Sequence, residues 1–301
     1  MIYDKYSFKI PEGMGIRVIT DTDAKNEADD QYCIVHTLLS PRFDNVGMIA
    51  AHFGDKRSKT SMEDSYQEVV KIFDLMKFEK SIIRKGATKC LPDMQTPVQS
   101  EGAKLIIEEA MKDDEKPLFV TFLGPLTDLA SAYLIEPRIA DRLTCIWIGG
   151  GVYPTGGPEY NLSNDINAAN VVFNSTIPLW QVPRDVYHQM IVSITELEEK
   201  VAPYGEIGKY LYEQLIEAAH KAWAKKPPRT GEVWSLGDSP VVGLMLWDHM
   251  HDFDWIPAPN ATEDMYYVHK LNNRPIRVYK RINSRFILED FFSKIKKFAM
   301  Q

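Results

Sequence analysis

Short apolar runs alternate with segments of helical periodicity along most of this chain. The runs are rich in β-branched and aromatic residues, as in IRVIT at 16–20 and PLFVTFL at 117–123, which is typical of buried strands. They predict strands at 16–20, 46–53, 81–85, 117–123, 143–148 and 178–182, and helices at 29–39, 61–76, 100–112 and 165–175. Because parallel strands need a crossover that is usually a helix, this order predicts an α/β fold with a largely parallel, doubly wound sheet.

The pattern changes in the last third of the chain, where longer helical segments replace the short runs. A helical pattern covers 194–223 with a break near Pro203, the loop KKPPRTGE follows, and another helix begins at Asp238. Two short strands, MYYVHKL and IRVYKRI, and a helix at 288–299 complete the tail. No Pro-, Gly- or Ser-rich linker divides the chain, so we predict one domain over residues 1–301 with a C-terminal helical and hairpin extension.

Charge and hydropathy narrow the class of partner. The chain has 35 Lys and Arg against 42 Asp and Glu, a net charge of −7, whereas nucleic-acid binding normally requires a basic stripe. No apolar run is long enough to span a bilayer, and the N-terminal MIYDKYSFKIPEG lacks the basic-then-apolar order of a signal peptide. We therefore expect a small-molecule substrate, no nucleic-acid partner and no membrane partner.

The three cysteines, Cys33, Cys90 and Cys145, lie far apart and form no C-x-x-C pair. This spacing argues against a disulfide scaffold and against a structural zinc site. Because unpaired thiols are typical of a reducing compartment, we predict a cytoplasmic protein.

The surplus acid is concentrated at one corner of the predicted fold. The segment DTDAKNEADD contains five acids and one base, with Asp21 and Asp23 at the end of the first strand and Asp29 and Asp30 at the start of the next helix. Ligands of parallel sheets bind beyond the carboxyl ends of the strands. Four carboxylates at that edge repel one another unless a cation lies between them, and Lys25 alone cannot neutralise them. Since Ca²⁺ accepts several carboxylate and carbonyl oxygens at once, we interpret the cluster as a metal site.

The alternative interpretation is an ordinary helix start, where capping and the helix dipole favour acidic residues. It accounts for Asp29 and Asp30 but leaves Asp21 and Asp23, at the end of an apolar strand, unexplained. Asp238, which opens a later helix, is by itself better explained as an N-cap.

Five motifs, in order, resemble the inosine–uridine nucleoside hydrolase family from about residue 16 to about residue 250. They are VITDTDAKNEADDQYCI, LGPLTDLASAYLIEPRI, IWIGGG, the segment from Glu159-Tyr160-Asn161 to Asp165-Ile166-Asn167-Ala168-Ala169, and Gly237-Asp238-Ser239-Pro240. The resemblance implies a nucleoside hydrolase-like fold and Ca²⁺-dependent hydrolysis of the N-glycosidic bond of a ribonucleoside or related N-riboside. It also implies a role in purine or pyrimidine salvage and assembly as a homodimer or homotetramer.

The resemblance also implies roles for individual residues. The Ca²⁺ ligands would be Asp23, Asp30, the Leu123 carbonyl and Asp238, and Asp23 would activate a metal-bound water as the general base. The substrate-binding residues would be Asp21, Asp29, Ile148, Glu159, Asn161 and Trp234. Carboxylates and amide oxygens suit this chemistry, because they stabilise the oxocarbenium-like sugar formed as a glycosidic bond breaks.

Two departures from the family pattern concern the substrate. Five residues separate Asp23 from Asp29, where three are usual, and Gly237 stands where many purine-cleaving members have a His that protonates the leaving base. Candidates for a replacement acid are Tyr153, Tyr160, Tyr187, His188 and His220, and Trp223 or Trp234 can stack on a base. The predicted metal ligands thus match the family pattern better than the residues expected to contact the nucleobase. This difference favours an unusual substrate or another N-ribosyl leaving group.

Two other functions fit part of the pattern. A D-x-D motif after the first strand also occurs in Mg²⁺-dependent phosphatases, but Lys25 follows the second Asp by two positions, where such motifs usually have Thr or Val. A hydrolase fold without its leaving-group acid can also persist as a non-catalytic, Ca²⁺-dependent nucleoside- or sugar-binding protein. Asp23 argues mildly against this second alternative, since binding alone needs no base.

Overall fold

The structure, a computed structural model, describes residues 6–250 and 252–300. In chain order, the strands are β1 (Ile16–Thr22), β2 (Phe43–Ala50), β3 (Ile83–Lys85), β4 (Leu118–Phe122), β5 (Thr144–Ile148), β6 (Leu179–Val182), β7 (Ile191–Ser193), β8 (Val233–Ser235), β9 (Asp252–Pro257), β10 (Asn260–Ala261), β11 (Tyr267–Val268) and β12 (Pro275–Arg281). The predicted lack of a signal peptide partly concerns residues 1–5, which lie outside the described residues.

Helices connect most of these strands. In chain order, they are α1 (Asp30–Leu38), α2 (Ser61–Met76), α3 (Glu101–Ala110), α4 (Thr127–Ile135), α5 (Tyr160–Asn164), α6 (Ile166–Asn174), α7 (Arg184–Tyr187), α8 (Ile194–Lys200), α9 (Gly205–Trp223), α10 (Pro240–Leu246) and α11 (Ser284–Ala299). None of the helices in the described ranges combines the length and the apolar character needed to cross a bilayer.

The central sheet has eight strands in the order β3-β2-β1-β4-β5-β6-β12-β9. All neighbours pair in parallel except β9, which pairs antiparallel with β12 at the edge. The strand order runs in opposite directions on the two sides of β1, so a topological switch point lies between β1 and β4. The predicted largely parallel α/β fold is confirmed, and ligand binding is expected beyond the carboxyl ends of these two strands.

The tail differs in one respect from the predicted hairpin extension. IRVYKRI forms most of β12, but this strand lies inside the central sheet beside β6, because Ile276, Val278 and Tyr279 are buried in the core. Strand β9, which no sequence pattern indicated, covers the open edge of β12 and leaves Trp255 exposed. MYYVHKL contributes only the two residues of β11, paired with β10.

Two hydrophobic clusters cover the two faces of the sheet. Side chains of β1 alternate between them: Val18 packs with the cluster of α1, α2, α9, α10 and α11, and Ile19 packs with the cluster of α3, α4 and α6. Helix α1 is buried along its whole length, since it is in contact with both α10 and α11. The start of α1, which carries two of the predicted site residues, is therefore held firmly against the end of β1.

Candidate functional site

The end of β1 places two acids at the carboxyl edge of the sheet. The Leu123 amide donates to the Asp21 carbonyl at 2.9 Å, and the Asn26 amide donates to the Asp23 carbonyl at 2.8 Å, which closes a turn directly after the strand. Gly124 allows Asp23 to approach the neighbouring strand end, because a Cβ there would lie 2.9 Å from the Asp23 carboxyl carbon. Both acids are buried.

The start of α1 contributes Asp29 and Asp30, but not as an ordinary cap. Asp29 occupies the N-cap position without any capping hydrogen bond from its side chain. The Asp30 carboxylate instead accepts a hydrogen bond from the Thr22 hydroxyl at 2.5 Å. The helix-start interpretation therefore does not account for the side-chain positions of these two acids.

Asp238 lies next to this corner, in the loop that precedes α10. The N-cap of α10 is Ser239, so the interpretation of Asp238 as a helix cap is wrong. Carboxylate oxygens of Asp29, Asp30 and Asp238 lie within 4.8 Å of one another. Such a cluster of acids, two of them buried, is the arrangement expected of a cation site.

These acids line a small cavity of about 50 Å³ that we name the inner cavity. Its lining residues are Asp23, Asn26, Glu27, Asp29, Asp30, Leu123, Ile148, Glu159, Tyr160, Asn161, Tyr187, Gly237 and Asp238. The structure thus brings together every residue predicted as a metal ligand or as substrate-binding except two. Asp21 lies behind the cavity, and Trp234 lines the neighbouring one.

Burial and mutual repulsion raise the pKa of the acids in the inner cavity. Burial raises the pKa of Asp23 well above its usual value, and the charges of Asp30 and Asp29 raise it further. Burial also raises the pKa of Asp29 and Asp238, again with contributions from neighbouring carboxylates. The pKa of Asp30 rises to about 7, mainly through burial, although the Thr22 hydrogen bond opposes the rise. A bound cation would remove the cost of ionising all four groups.

The oxygen donors fit a hard cation. One buried oxygen of Asp23, Oδ2, has no hydrogen-bond partner among the described residues, and an unsatisfied buried carboxylate oxygen is costly unless a ligand binds it. The three acids whose oxygens lie within 4.8 Å of one another include Asp29 rather than Asp23. The predicted ligand set of Asp23, Asp30, Asp238 and the Leu123 carbonyl stays a prediction, with Asp29 as a further oxygen donor at the same place.

Asn161 holds two strand ends together at the floor of the inner cavity. Its side-chain amide nitrogen donates to the Leu123 carbonyl at 2.6 Å and to the Ile148 carbonyl at 2.8 Å. Both amide hydrogens are thereby used, since a side-chain amide has only two. Only its Oδ1 remains to accept a hydrogen bond from a sugar hydroxyl.

We predict that Asn161→Asp destabilises the fold, because it places a carboxylate oxygen against two carbonyl oxygens. The expected loss in the free energy of unfolding is about 1–3 kcal/mol at pH 7, measured by urea denaturation. Asn174→Asp is the matched control, since Asn174 is exposed on α6 and donates one hydrogen bond to the Asn170 carbonyl. Equal midpoints for the two variants would contradict the role assigned to Asn161.

Glu159 is held by several hydrogen bonds at the start of α5. Its carboxylate accepts bonds from the amides of Gly150, Asn161 and Leu162 at 2.8–3.1 Å, and from the Tyr187 hydroxyl at 2.9 Å. This fixed carboxylate faces the inner cavity. Its predicted contact with a sugar would therefore be made by a group that is already positioned.

Asp21 forms a second buried acid pair behind the inner cavity. Burial raises the pKa of Asp21 well above its usual value, and the charge of Asp128 on α4 raises it further. The Asp128 carboxylate accepts hydrogen bonds from the Ala87 amide at 3.1 Å and from the Ser100 hydroxyl. Asp21 is thus placed to support the end of β1, and direct contact with substrate stays a prediction.

Tyr187 fills part of the space beside Gly237. A Cβ at Gly237 would lie 3.0 Å from the Tyr187 ring and 3.3 Å from Asp29 Oδ2. Tyr187 and Tyr160 line the inner cavity, whereas His188 lines the neighbouring one. Tyr153 is hydrogen-bonded to Gln181, and the rings of His220 and Trp223 contact each other; none of these three lines either cavity.

A larger cavity of about 690 Å³ adjoins the inner one, and we name it the outer cavity. Its lining residues are Asn26, Glu27, Arg57, His188, Ile191, Ala218, Lys221, Ala222, Lys225, Arg229, Thr230, Gly231, Val233, Trp234 and Ser235. Asn26 and Glu27 line both cavities, so the lengthened segment between Asp23 and Asp29 lies at the boundary. Sequence reasoning missed Arg57, Lys225 and Arg229, although the basic runs DKRSK and KKPPR were visible.

A family model described as inosine-uridine preferring nucleoside hydrolase matches residues 18–278. The inosine-uridine preferring nucleoside hydrolase of Leishmania major is 29% identical over 147 residues, 47% of this chain and 46% of that protein. The pyrimidine-specific ribonucleoside hydrolase RihB of Shigella flexneri is 28% identical over 183 residues, 58% of this chain and 53% of that protein. The chain thus matches about half the length of these curated relatives.

Solved structures extend the similarity of fold to nearly the whole chain. A purine-preferring ribonucleoside hydrolase from Gardnerella vaginalis has a TM-score of 0.80 at 19% identity, covering 94% of this chain and 99% of that one. The plant nucleoside hydrolase PpNRh1 has a TM-score of 0.78 at 16% identity, covering 93% and 99%. At these identities the likeness concerns the arrangement of the backbone.

Proposed function

Because this chain belongs to the inosine-uridine preferring nucleoside hydrolase family, we propose that it hydrolyses the N-glycosidic bond of a ribonucleoside or related N-riboside, with Ca²⁺ at the inner cavity. The observation that carries the proposal is the inner cavity itself, where four acids meet and one buried Asp23 oxygen has no hydrogen-bond partner among the described residues. The related proteins described above are nucleoside hydrolases by name, which supports the reaction class.

Asp23 is the proposed general base. Asp23 lines the inner cavity, its Oδ2 atom has no hydrogen-bond partner among the described residues, and its carbonyl is fixed by the turn that follows β1. It accepts a proton from water as the water oxygen attacks the sugar carbon and the bond to the leaving nitrogen breaks. A carboxylate suits this role when it lies within hydrogen-bond reach of the water.

The rest of the inner cavity stabilises the sugar. The charge that develops on the ring is positive, and the lining offers the carboxylates of Asp29 and Glu159 with the Asn161 Oδ1. Because these groups are fixed by the start of α1 and by α5, they need little rearrangement as the charge forms.

The proposed metal ligands are Asp23, Asp30, the Leu123 carbonyl and Asp238, with Asp29 within reach. When bound, Ca²⁺ would clamp sugar hydroxyls and neutralise the carboxylate cluster. The Leu123 carbonyl is oriented by Asn161 at 2.6 Å, and the Asp30 carboxylate is oriented by Thr22. A cytoplasmic location, a place in nucleoside salvage and a homodimeric or homotetrameric state stay predictions.

We expect the protein to release reducing sugar from at least one ribonucleoside in the presence of Ca²⁺. The test is a panel of uridine, cytidine, inosine, adenosine and orotidine, each assayed for free ribose with Ca²⁺, with chelator, and with Ca²⁺ restored after chelation. Ribose that disappears with chelator and returns with Ca²⁺ supports the proposal. Ca²⁺-dependent nucleoside binding without ribose would favour the non-catalytic binder, and release of phosphate from a phosphate ester would favour the phosphatase.

A further inference from the structure

The outer cavity has the opposite charge to the inner one. Four cationic side chains line it, those of Arg57, Lys221, Lys225 and Arg229, against the single carboxylate of Glu27. The inner cavity is lined by six acids and by no Lys or Arg. The chain as a whole has a net charge of −7, so a basic cavity is unusual for it. The acidic inner cavity favours cationic groups of a ligand, and the basic outer cavity favours anionic groups.

Arg57 is fixed at the boundary between the two cavities. Its guanidinium donates to the Asn26 carbonyl at 3.0 Å and also to the Asn26 side-chain oxygen. The same guanidinium lies over the Tyr160 ring, 4.3 Å from its centroid. Asn26 and Tyr160 line the inner cavity. The charge of Arg57 therefore lies near the place where the leaving group of a bound riboside would extend from the inner into the outer cavity.

A second part of the outer cavity's lining is a cationic loop that is tied to the end of α9. The amides of Lys225 and Arg229 donate to the Ala222 carbonyl at 3.3 and 3.2 Å. Lys221 is paired with Glu217 at 2.6 Å, whereas the structure assigns neither Lys225 nor Arg229 an acidic partner within 4 Å among the described residues. Both side chains therefore have hydrogen-bond donors left for a ligand, although the charge of Arg229, like that of Arg57, also acts on the Glu27 carboxylate.

The sizes of the two cavities indicate which one would hold the base of a riboside. The inner cavity, at about 50 Å³, is the smaller of the two and is too small for a heterocyclic base. The outer cavity, at about 690 Å³, is in the range of small-molecule sites. Trp234 contributes an aromatic side chain to its wall, which suits a planar ring.

Building on the proposed hydrolysis, we propose that the preferred substrate is an N-riboside whose leaving group carries a negative charge, such as a carboxylate on its ring. The anionic group lies between Arg57, Lys225 and Arg229, and the ring lies against Trp234. The same cations stabilise negative charge on the departing nitrogen heterocycle. This arrangement explains how cleavage can proceed with glycine at position 237, where many relatives have a proton donor.

The test compares two nucleosides that differ only by a carboxylate on the base, orotidine and uridine. We expect kcat/KM for orotidine to exceed that for uridine by at least about tenfold at low salt. The double variant Lys225→Gln/Arg229→Gln lowers the orotidine-to-uridine ratio by about tenfold, the order expected when charge-assisted hydrogen bonds to a carboxylate are lost. Arg281→Gln is the control, because Arg281 lies far along the chain on β12 and its side chain is 75% exposed.

Binding of the free bases supplies a second readout that needs no turnover. By calorimetry on the Ca²⁺-loaded protein, orotate should bind more tightly than uracil, and the double variant should remove the difference. An equal preference for the two nucleosides, or a ratio that the double variant leaves unchanged, would overturn the inference. So would faster cleavage of uridine 5′-monophosphate without faster cleavage of orotidine, which would assign the cations to a phosphate on the sugar.

The two proposals fail in different ways. If uridine and other neutral nucleosides release ribose while orotidine has no advantage, the hydrolase proposal stands and the anionic leaving group is wrong. If no riboside releases ribose, the hydrolase proposal is wrong. In that case the binding of orotate against uracil still decides what the outer cavity accepts.

Discussion

Asp23→Asn is expected to lower the rate of ribose release by about 10²- to 10⁴-fold, the range assigned to a lost general base. The substitution keeps the size of the side chain but removes the group that accepts a proton from the attacking water. Asp23 is also a proposed metal ligand, so two measurements are needed: kcat at saturating Ca²⁺, and Ca²⁺ affinity by calorimetry. The general-base role predicts that kcat stays low even when the variant is fully loaded with Ca²⁺.

The matched control for this substitution is Asp113→Asn. Asp113 is exposed in the turn after α3 and lines neither cavity, so its variant should retain the wild-type rate within about twofold. If Asp23→Asn regains the wild-type rate once Ca²⁺ is raised, Asp23 acts only through the metal. The proton would then have to be accepted by another carboxylate of the inner cavity, such as that of Asp29.

The acidic corner could be predicted because its position follows from rules that act locally. A buried strand ending in Asp21 and Asp23 must place them at the carboxyl edge of a parallel sheet. The next helix returns from that edge, so Asp29 and Asp30 meet them there. The same rule places the Leu123 carbonyl at this edge, because Leu123 directly follows β4. The pairing of β1 with β4 does not follow from chain order.

Other features depend on contacts between distant segments, which no local pattern records. Sequence alone could not assign Trp234 to a separate cavity, because that requires the end of α9 and β8 to face the loop that carries Arg57. The filling of the space beside Gly237 by Tyr187 likewise joins residues fifty positions apart. In the same way, the N-cap of α10 depends on the path of the loop before it, which makes Ser239 rather than Asp238 the capping residue.

The tail illustrates how tertiary pairing decides the role of a strand. IRVYKRI was recognisable as a strand from its β-branched and aromatic residues. Its partner was not recognisable, since both a local hairpin and the edge of the main sheet satisfy the same alternation. The structure pairs it with β6 and adds β9, which begins at Asp252.

Removal of Ca²⁺ is expected to lower the melting temperature by roughly 5 °C at pH 8, and by little at pH 5. Saturating ligand at about 100 times its Kd stabilises a protein by about 2.7 kcal/mol, which corresponds to a few degrees for a chain of this size.

The pH dependence follows from the raised pKa of Asp30, about 7 against 3.8 for the ordinary side chain, and from the raised pKa values of Asp23, Asp29 and Asp238. A group with a raised folded-state pKa contributes stability that is complete below about pH 4 and is lost as pH rises through its folded value. The metal-free protein therefore loses the contribution of Asp30 between about pH 4 and pH 7, and it loses the contributions of the other three acids as pH rises through their own raised pKa values. Bound Ca²⁺ replaces the missing protons.

The variant Asp238→Asn tests whether Ca²⁺ stabilises the protein by binding the carboxylate cluster or through a general effect of ionic strength. The variant removes one carboxylate from the cluster and one proposed ligand. At pH 8 without metal it should melt at a higher temperature than the metal-free wild type, because like-charge repulsion is reduced. With Ca²⁺ it should gain less than the wild type, because a ligand is missing. Differential scanning fluorimetry with and without chelator measures both quantities, and Asp113→Asn should follow the wild type in each. A metal-free Asp238→Asn that melts below the metal-free wild type would mean that Asp238 is held by contacts other than a cation, and the carboxylate cluster would need another explanation.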